Sequence, residues 1–293
     1  MSAVGAGAVL LGALADGAVK GTVPLLIAAL VARRLPTASA RHVVWAAGLA
    51  SLPILAGMAW TRGPDVALEL AWGAPLWGLG AAVALAPLVV GLVRLARLTA
   101  STPLRRRHGV RIGRSDHVPG PLTWGALRPV VLLPLSAEGW TADQRRAALA
   151  HELAHVHRQD WLVHVAVWAV CAVFWFHPAA WWARRELLCE AEQAADDAVV
   201  RTGARPTDYA SLLVQLARTR AVAGSLAAGP SSLSRRVHAV LGDRDRRPAR
   251  RVPAALVLLV LGLCTPALAG VSLWSRPADA PLTCVPAPGP LLP

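Results

Sequence analysis

Four long apolar stretches constrain this chain more than any other feature of its sequence. They cover residues 11–32, 43–60, 72–93 and 252–274, and each has about the 20 residues that a helix needs to cross the hydrocarbon core of a bilayer. Only 16% of the 293 residues are charged, whereas soluble domains are roughly 25% charged. We therefore expect a mainly α-helical integral membrane protein with four transmembrane helices.

The first apolar stretch carries two charges within it. Asp16 and Lys20 lie four residues apart, and therefore on one face of a helix. The interpretation we favour is a neutralised pair whose side chains extend to the membrane interface. The alternative is a buried charge with a function of its own.

The arginines predict how the chain is oriented in a bacterial plasma membrane. They account for almost all of the net charge of +13, since Lys20 is the single lysine. They concentrate in three segments: Arg33, Arg34 and Arg41; Arg94, Arg97, Arg105, Arg106 and Arg107; and Arg235, Arg236, Arg244, Arg246, Arg247, Arg250 and Arg251. Only Arg62 and Arg276 stand in the connections on the other side. By the positive-inside rule, both termini lie outside and residues 94–251 lie in the cytoplasm.

The arginine clusters also bear on the partners of the chain. Basic clusters can bind nucleic acid, but these stand beside membrane spans, where topology and lipid headgroups explain them better. We expect the lipid bilayer, and no nucleic acid, as a direct partner. The oligomeric state stays open.

The apolar stretches divide the chain into residues 1–96, with three spans, and residues 97–251, which form the expected cytoplasmic domain. Within that domain, residues 108–115 predict a strand. Residues 121–134 predict two strands joined around 125–129. The domain should therefore carry a small β-hairpin or sheet.

A helix with a metal-binding motif is predicted next. Thr141 and Gln144 fit a capping box, so the helix should begin there. It leads into His151-Glu152-Leu-Ala-His155, where two histidines four residues apart share one face and can bind one zinc ion beside Glu152. A histidine pair satisfied by other contacts is the alternative.

Catalytic zinc usually has three protein ligands and a water, so a third ligand is needed. The other nearby histidines lie off the shared face or at a predicted turn: His157, His164 and His177. The run of residues 186–197 offers Glu192 and Asp196, four apart, so that one can bind the metal while the other supports a ligand histidine. A solvated acidic face is the alternative for this run.

A further apolar stretch, residues 161–183, could be taken for a fifth span. If it crossed the membrane, Glu192 and His151 would lie on opposite sides and could not share a metal. We therefore expect a half-inserted helical hairpin that reverses at residues 176–178. Its entering arm is longer than its returning arm by about 13 Å, which predicts a bend near residues 158–161.

Several of these segments resemble the BlaR/MecR-type membrane metallopeptidases. The similar segments are His151-Glu152-Leu-Ala-His155 and its continuation to Asp160, Phe176-His177-Pro178 with Trp181 and Trp182, residues 190–197, residues 121–134 and residues 41–45. The resemblance implies a gluzincin-type zinc domain inserted on the cytoplasmic side between spans three and four. It implies His151, His155 and Glu192 as zinc ligands, Glu152 as the catalytic base and Asp196 as support for a ligand. The best-understood members of this family cleave, or cause cleavage of, a transcriptional repressor after sensing a β-lactam outside.

Two departures from the family pattern limit what the resemblance implies. Ala195 stands where the family usually has a cysteine, which should not affect zinc. The β-lactam receptors carry a large external penicillin-binding domain, whereas residues 275–293 are expected to form only a short external tail rich in proline. Their acylated serine also needs a lysine three residues later, and Lys20 has Gly17 in that position. We therefore expect no covalent β-lactam binding.

These patterns predict a zinc endopeptidase that acts at the cytoplasmic membrane face. Glu152 would take a proton from water and pass it to the leaving amine, and the edge of the 121–134 hairpin could hold an extended peptide by strand addition. Tyr209 is considered as a second oxyanion donor, with simple packing as the favoured alternative. The expected substrate is a protein, and the resemblance suggests a BlaI-like repressor.

Two other functions remain open at this point. One is membrane-protein quality control or processing, in the manner of the HtpX-type or CAAX-processing gluzincins. The other is a non-catalytic membrane signalling scaffold with a structural zinc site. Glu152 counts against the scaffold, because a structural site needs no base beside the metal.

Overall fold

The computed structural model describes residues 3–62, 73–107, 109–222 and 230–242. The helices are α1 (Ala3–Ala32), α2 (Ala38–Arg62), α3 (Gly73–Ser101), α4 (Ala142–Arg158), α5 (Asp160–Val173), α6 (Pro178–Arg201), α7 (Pro206–Val222) and α8 (Pro230–Leu241). The strands are β1 (Leu104–Arg107), β2 (Val110–Ser115), β3 (Leu122–Trp124) and β4 (Val130–Pro134). The fold is therefore mainly helical, with one small sheet.

Three of the helices are long and apolar enough to cross a membrane. They comprise Gly7–Ala32, Ala38–Thr61 and Gly73–Ser101, and they coincide with the first three stretches predicted from sequence. Only 6% of the apolar window of α3 is buried, against 44% and 50% in α1 and α2, so α3 is the least covered of the three by the described residues. The fourth predicted span, residues 252–274, and the tail after it lie outside the described residues.

Small residues bring α1 and α2 close together. A Cβ added to Gly17 would lie 2.7 Å from the Cβ of Ala56, and one added to Gly21 would lie 2.5 Å from Cδ2 of Leu52. Glycines four residues apart let two membrane helices approach closely enough for extensive van der Waals contact. The α1–α2 pair therefore depends on the absence of side chains at these two positions.

The charged pair within α1 forms, but it does not extend to an interface. Lys20 Nζ lies 2.7 Å from Asp16 Oδ1, and the two side chains are only 5% and 7% exposed. The interfacial interpretation was wrong because neighbouring structure encloses this face of α1. The burial that the alternative interpretation required is confirmed, and a function for the pair stays a prediction.

The sheet has the strand order β1-β2-β4-β3, in which only the β2–β4 pair is parallel. The predicted strands correspond to β2, β3 and β4, whereas β1 was not predicted. Strand β4 is buried on both faces: Val131 and Leu133 pack in a cluster with Ala148 of α4, and Val130 and Leu132 pack on the opposite side. A central strand covered on both faces is continuously apolar. This packing places edge strand β3 beside α4.

Helix α4 begins and ends where the sequence indicated. The Thr141 hydroxyl accepts from the Gln144 backbone at 3.1 Å, and the Gln144 side chain accepts from the Thr141 backbone at 3.0 Å, which confirms the capping box. The helix ends at Arg158, because Gln159 has a left-handed backbone with φ of 58°. Helix α5 starts at Asp160, so the two helices are separated by this left-handed residue, within residues 158–161, where the bend was predicted.

Helices α5 and α6 form a hairpin whose turn falls between Val173 and Pro178, as predicted. With 14 residues, α5 rises about 21 Å and is too short to cross a bilayer core of about 30 Å. The hairpin packs against the membrane helices. The indole of Trp77 donates to the Val173 carbonyl at 2.9 Å, and His177 Nε2 donates to the Ala18 carbonyl at 3.0 Å. His177 makes no side-chain cap; its ring joins the turn to α1.

Helices α7 and α8 pack against α4 and α6. A second apolar cluster joins all four helices, and its buried members are Ala147, Val199, Tyr209, Ala210, Leu212, Leu213 and Val240. This cluster fixes α7 and α8 beside the histidine motif.

Candidate metal centre

Helices α4 and α6 bring the two motif histidines to one glutamate. The Nε2 atoms of His151 and His155 lie 3.2 Å apart. Glu192 Oε2 lies 3.5 Å from His151 Nε2, and Glu192 Oε1 lies 3.7 Å from His155 Nε2. Within the described part of the chain, these three residues form the group that could hold a metal ion.

The distance between the two histidine nitrogens, and the distance from each nitrogen to the nearer Glu192 oxygen, fit tetrahedral zinc. Zinc–ligand bonds of about 2.0–2.2 Å place neighbouring ligand atoms of a tetrahedron roughly 3.3–3.6 Å apart. The three separations of 3.2, 3.5 and 3.7 Å bracket that range. Two imidazoles and one carboxylate are also ligands that zinc prefers. The Glu192 side chain is 38% exposed while the histidines are largely buried, so the site is open on the glutamate side.

Asp160 fixes the tautomer of His155. Its Oδ2 lies 2.7 Å from His155 Nδ1, so the Nδ1–H donates and Nε2 is left free for a metal. Burial would raise the pKa of Asp160, but the hydrogen bonds of His155 and Arg158 outweigh it and lower the pKa to about 2. Arg158 also donates to the carbonyl of Ala191 at 2.7 Å, which ties the end of α4 to α6.

Tyr209 and Asp196 support His151 in the same way. The Tyr209 hydroxyl lies 3.0 Å from His151 Nδ1 and donates to Asp196 Oδ1 at 2.7 Å. Asp196 Oδ1 is itself 3.2 Å from His151 Nδ1. These contacts keep a proton on Nδ1 and leave Nε2 facing His155. Tyr209 is packed in the apolar cluster of α4, α6, α7 and α8, as the favoured alternative expected, and its hydroxyl in addition lies behind a histidine.

The charges around His151 favour its protonation when no metal is bound. Burial alone would lower the pKa of His151, but the hydrogen bonds to Asp196 and Glu192 prevail and raise it to about 9. Burial would raise the pKa of Glu192, yet Arg236 together with the two histidines holds it well below its ordinary value. The same site therefore attracts a cation, either a proton or a metal.

Arg236 of α8 was placed by sequence among the arginines near lipid, and that interpretation was wrong. The side chain is only 14% exposed and binds the two acidic residues of the centre. Its Nη1 lies 2.8 Å from Glu192 Oε2, and its Nε and Nη2 donate to Asp196 at 2.8 Å each. The carboxylates attract it inward because Asp196 is completely buried and needs a countercharge.

Glu152 is held by a residue that the sequence did not single out. The Thr123 hydroxyl, on β3, donates to Glu152 Oε2 at 2.7 Å, and the carboxylate is buried. The neighbouring Trp124 donates its indole N–H to Thr99 of α3 at 2.9 Å. The edge strand is thus tied both to the motif glutamate and to the end of a membrane helix.

The acidic run on α6 is not a solvated face. Arg41, at the start of α2, donates from Nε to Glu190 Oε2 at 2.8 Å. His42 lies 3.3 Å from the carbonyl of Leu187, and Trp45 packs edge-on against Trp182 with centroids 4.9 Å apart. The segment of residues 41–45 therefore docks the second membrane helix onto the helix that carries Glu192.

The remaining candidate histidines do not join the cluster, as the sequence argument expected. His157 binds the Leu153 carbonyl of its own helix at 2.7 Å on the exposed side. His177 lies at the hairpin turn against α1. His164 lies on α5, outside the group of three ligands.

This fold and this cluster define a class of protein: a metallopeptidase built on membrane helices. Residues 91–240 match the family described as BlaR1 peptidase M56. The Regulatory protein BlaR1 of Bacillus licheniformis is 28% identical over 184 residues, which are 60% of this chain and 31% of that relative. The chain belongs to the BlaR1 peptidase M56 family and is a membrane metallopeptidase of the BlaR kind. Its match spans about a third of the length of the curated relative.

Proposed function

We propose that this protein is a zinc endopeptidase that hydrolyses peptide bonds at the cytoplasmic face of the membrane, in the regulatory proteolysis of a BlaI-like transcriptional repressor. The observation that carries the proposal is the meeting of His151, His155 and Glu192 at tetrahedral spacing beside a buried Glu152. The similarity to a regulatory protein supports the regulatory part.

The side chains of the centre have separate tasks in this reaction. When bound, zinc supplies Lewis-acid activation of water and of the scissile carbonyl at neutral pH. Glu152 accepts the proton of the attacking water and delivers it to the leaving amine. The Thr123 hydroxyl holds Glu152 Oε2, so the other carboxylate oxygen is left to carry the proton.

Strand β3 gives the substrate a place to bind. It is an edge strand whose neighbour in the sheet is β4, so its outer edge can pair with an extended peptide. Thr123 lies at the middle of β3 and touches Glu152. A peptide added along this edge would therefore pass in front of the catalytic carboxylate.

The positions of the connections support a cytoplasmic site. Arg41, in the first turn of α2, binds α6, and Trp124 of the sheet binds Thr99 near the end of α3. The centre thus lies at the end of the helices where α1 leads to α2 and α3 leads to the sheet. Arg33 and Arg34 lie in the first of these connections, and Arg94 and Arg97 lie near the C-terminal end of α3. The positive-inside rule assigns this end of the helices to the cytoplasm.

The proposal is tested in bacterial membranes that contain the wild type, Glu152→Gln or Glu138→Gln. The last is a matched control, because Glu138 is an exposed carboxylate that pairs with Arg114 away from the centre. We expect a co-expressed BlaI-like repressor to be cleaved by the wild type and by the control, and to remain intact with Glu152→Gln.

Other outcomes would favour the other functions. Equal cleavage by the wild type and Glu152→Gln would remove the peptidase role. A wild type that retains zinc and cleaves nothing would support the signalling scaffold. Cleavage of misfolded membrane proteins with an intact repressor would support quality control.

A further inference from the structure

Arg236 makes three charged contacts at the back of the metal centre. One fork of its guanidinium, Nε and Nη2, binds both oxygens of Asp196, and Nη1 reaches Glu192 Oε2, all at 2.8 Å. A planar guanidinium can hold two carboxylates in a fixed relation, which a single ammonium group cannot do. The arginine therefore sets the distance and orientation of these two side chains.

Before a metal binds, Arg236 makes the shortest contact of the Glu192 carboxylate, since the histidine nitrogens lie 3.5 and 3.7 Å away. The Glu192 side chain is 38% exposed, unlike those of the histidines that face it. Glu192 and Asp196 are also one helical turn apart on α6, so their negative charges repel each other. Without the guanidinium, Glu192 would be free to rotate toward solvent, and Asp196 would be a buried charge without its strongest countercharge.

The arginine belongs to an element remote from the motif in sequence. Helix α8 packs on α6 and α7 through Val240, which is buried with Val199 and Leu212. Whatever holds or releases α8 therefore also holds or releases Arg236. In the sequence, the predicted fourth span at residues 252–274 follows α8 closely.

We infer that Arg236 is a positioning residue, which sets Glu192 and Asp196 for metal binding, and that docking of α8 on α6 thereby controls the metal affinity of the centre. This inference rests on the proposed zinc site. It does not require any particular substrate. Helix α8 thereby has a regulatory task. Its movement withdraws Arg236 from the metal ligand Glu192 and from Asp196, the carboxylate behind His151.

The neighbouring Arg235 provides a matched control. It also joins α8 to α6, since its Nη1 lies 3.3 Å from Glu186 Oε2, but its partner is outside the cluster of ligands. Removal of Arg235 costs one ion pair and a contact with Cys189 Sγ between the same two helices, whereas removal of Arg236 costs the ion pairs with Glu192 and Asp196. Only removal of Arg236 frees the carboxylates of the centre.

The experiment measures the zinc affinity of the purified full-length protein in detergent by competition with a chromophoric chelator, for the wild type, Arg236→Gln, Arg236→Lys and Arg235→Gln. Thermal unfolding of each metal-free protein is recorded alongside. We expect Arg236→Gln to weaken zinc binding by about 10–100-fold, Arg236→Lys to fall between it and the wild type, and Arg235→Gln to bind as the wild type does.

The results that would overturn this inference differ from those that would contradict the proposed function. Wild-type zinc affinity in folded Arg236→Gln would overturn the inference, as would an equal loss in Arg235→Gln. If Arg236→Gln does not fold, the result for Arg236→Lys decides. The lysine keeps a countercharge for Asp196 but lacks the contact with Glu192. Wild-type zinc affinity in Arg236→Lys would overturn the inference. Normal zinc binding without proteolysis in the wild type would contradict the proposed function and leave this inference standing.

Discussion

The hydroxyl of Thr123 donates a 2.7 Å hydrogen bond to Glu152 Oε2. This contact joins the edge strand of the sheet, where a substrate would pair, to the carboxylate that would move the proton. The position of the base is therefore linked to the surface that holds the peptide.

Replacing Thr123 by valine should lower the rate of peptide cleavage and leave zinc content unchanged. Valine has nearly the same shape, but it cannot donate to Glu152, and a hydrogen bond to a charged group contributes about 1.5–3 kcal/mol. We expect kcat to fall roughly 10–100-fold, with partial recovery in Thr123→Ser. The measurement is steady-state cleavage in detergent with metal analysis of the same samples. Full activity in Thr123→Val would show that the contact does not matter for the reaction. Thr207→Val, on the exposed face of α7, serves as the control.

Replacing Asp160 by asparagine should weaken zinc binding. Asp160 holds the Nδ1–H of His155 at 2.7 Å. Loss of such a carboxylate lowers metal affinity roughly 10–100-fold, because the ligand histidine becomes less basic and is no longer held in orientation. Zinc titration of the two proteins measures the difference. Asp143→Asn, an exposed change on α4, the helix that carries His155, should bind zinc normally. Equal affinity in all three proteins would exclude this role for Asp160.

Zinc binding should become stronger as the pH rises toward 9. Because the pKa of His151 is raised to about 9 in the metal-free protein, zinc must displace about one proton from this residue at neutral pH. The affinity should then rise about tenfold per pH unit between 7 and 9 and level off above the pKa. Calorimetric titration in two buffers of different ionisation enthalpy counts the released protons. No proton release at pH 7 would contradict the protonated state of His151.

Gly17→Leu should destabilise the protein, whereas Gly57→Leu should not. A Cβ at Gly17 meets Ala56 at 2.7 Å, while no atom of the described residues lies within 4 Å of one at Gly57. Overpacking of this kind costs about 1–3 kcal/mol. Thermal unfolding in detergent compares the two variants with the wild type. Equal melting temperatures for all three would mean that α1 and α2 do not need their close approach.

The features that were predicted from sequence are those with a local cause. The capping box at Thr141 and Gln144 needs residues three apart, and the shared face of His151 and His155 needs residues four apart. In both cases a short stretch of backbone geometry decides the outcome. The bend at Gln159 was predicted from a different constraint, the lengths of two helical arms that must meet at one metal.

The features that were missed depend on residues distant in sequence or on tertiary packing. Arg236 lies 40 residues from Asp196, in a basic segment that was explained by membrane topology and lipid headgroups alone. Thr123 reaches Glu152 only because the sheet packs on α4, and Asp160 reaches His155 only because Gln159 takes a left-handed backbone. Strand β1 has three consecutive arginines, which carry no alternating apolar pattern. Neighbours of this kind cannot be read from periodicity.

X-ray absorption at the zinc edge of the loaded wild-type protein tests the central claim most directly. We predict two imidazole nitrogens and oxygen ligands at about 2.0–2.2 Å in a four-coordinate site, with one oxygen ligand lost in Glu192→Ala. A sulfur ligand at about 2.3 Å, or a spectrum that Glu192→Ala leaves unchanged, would contradict a centre built from His151, His155 and Glu192.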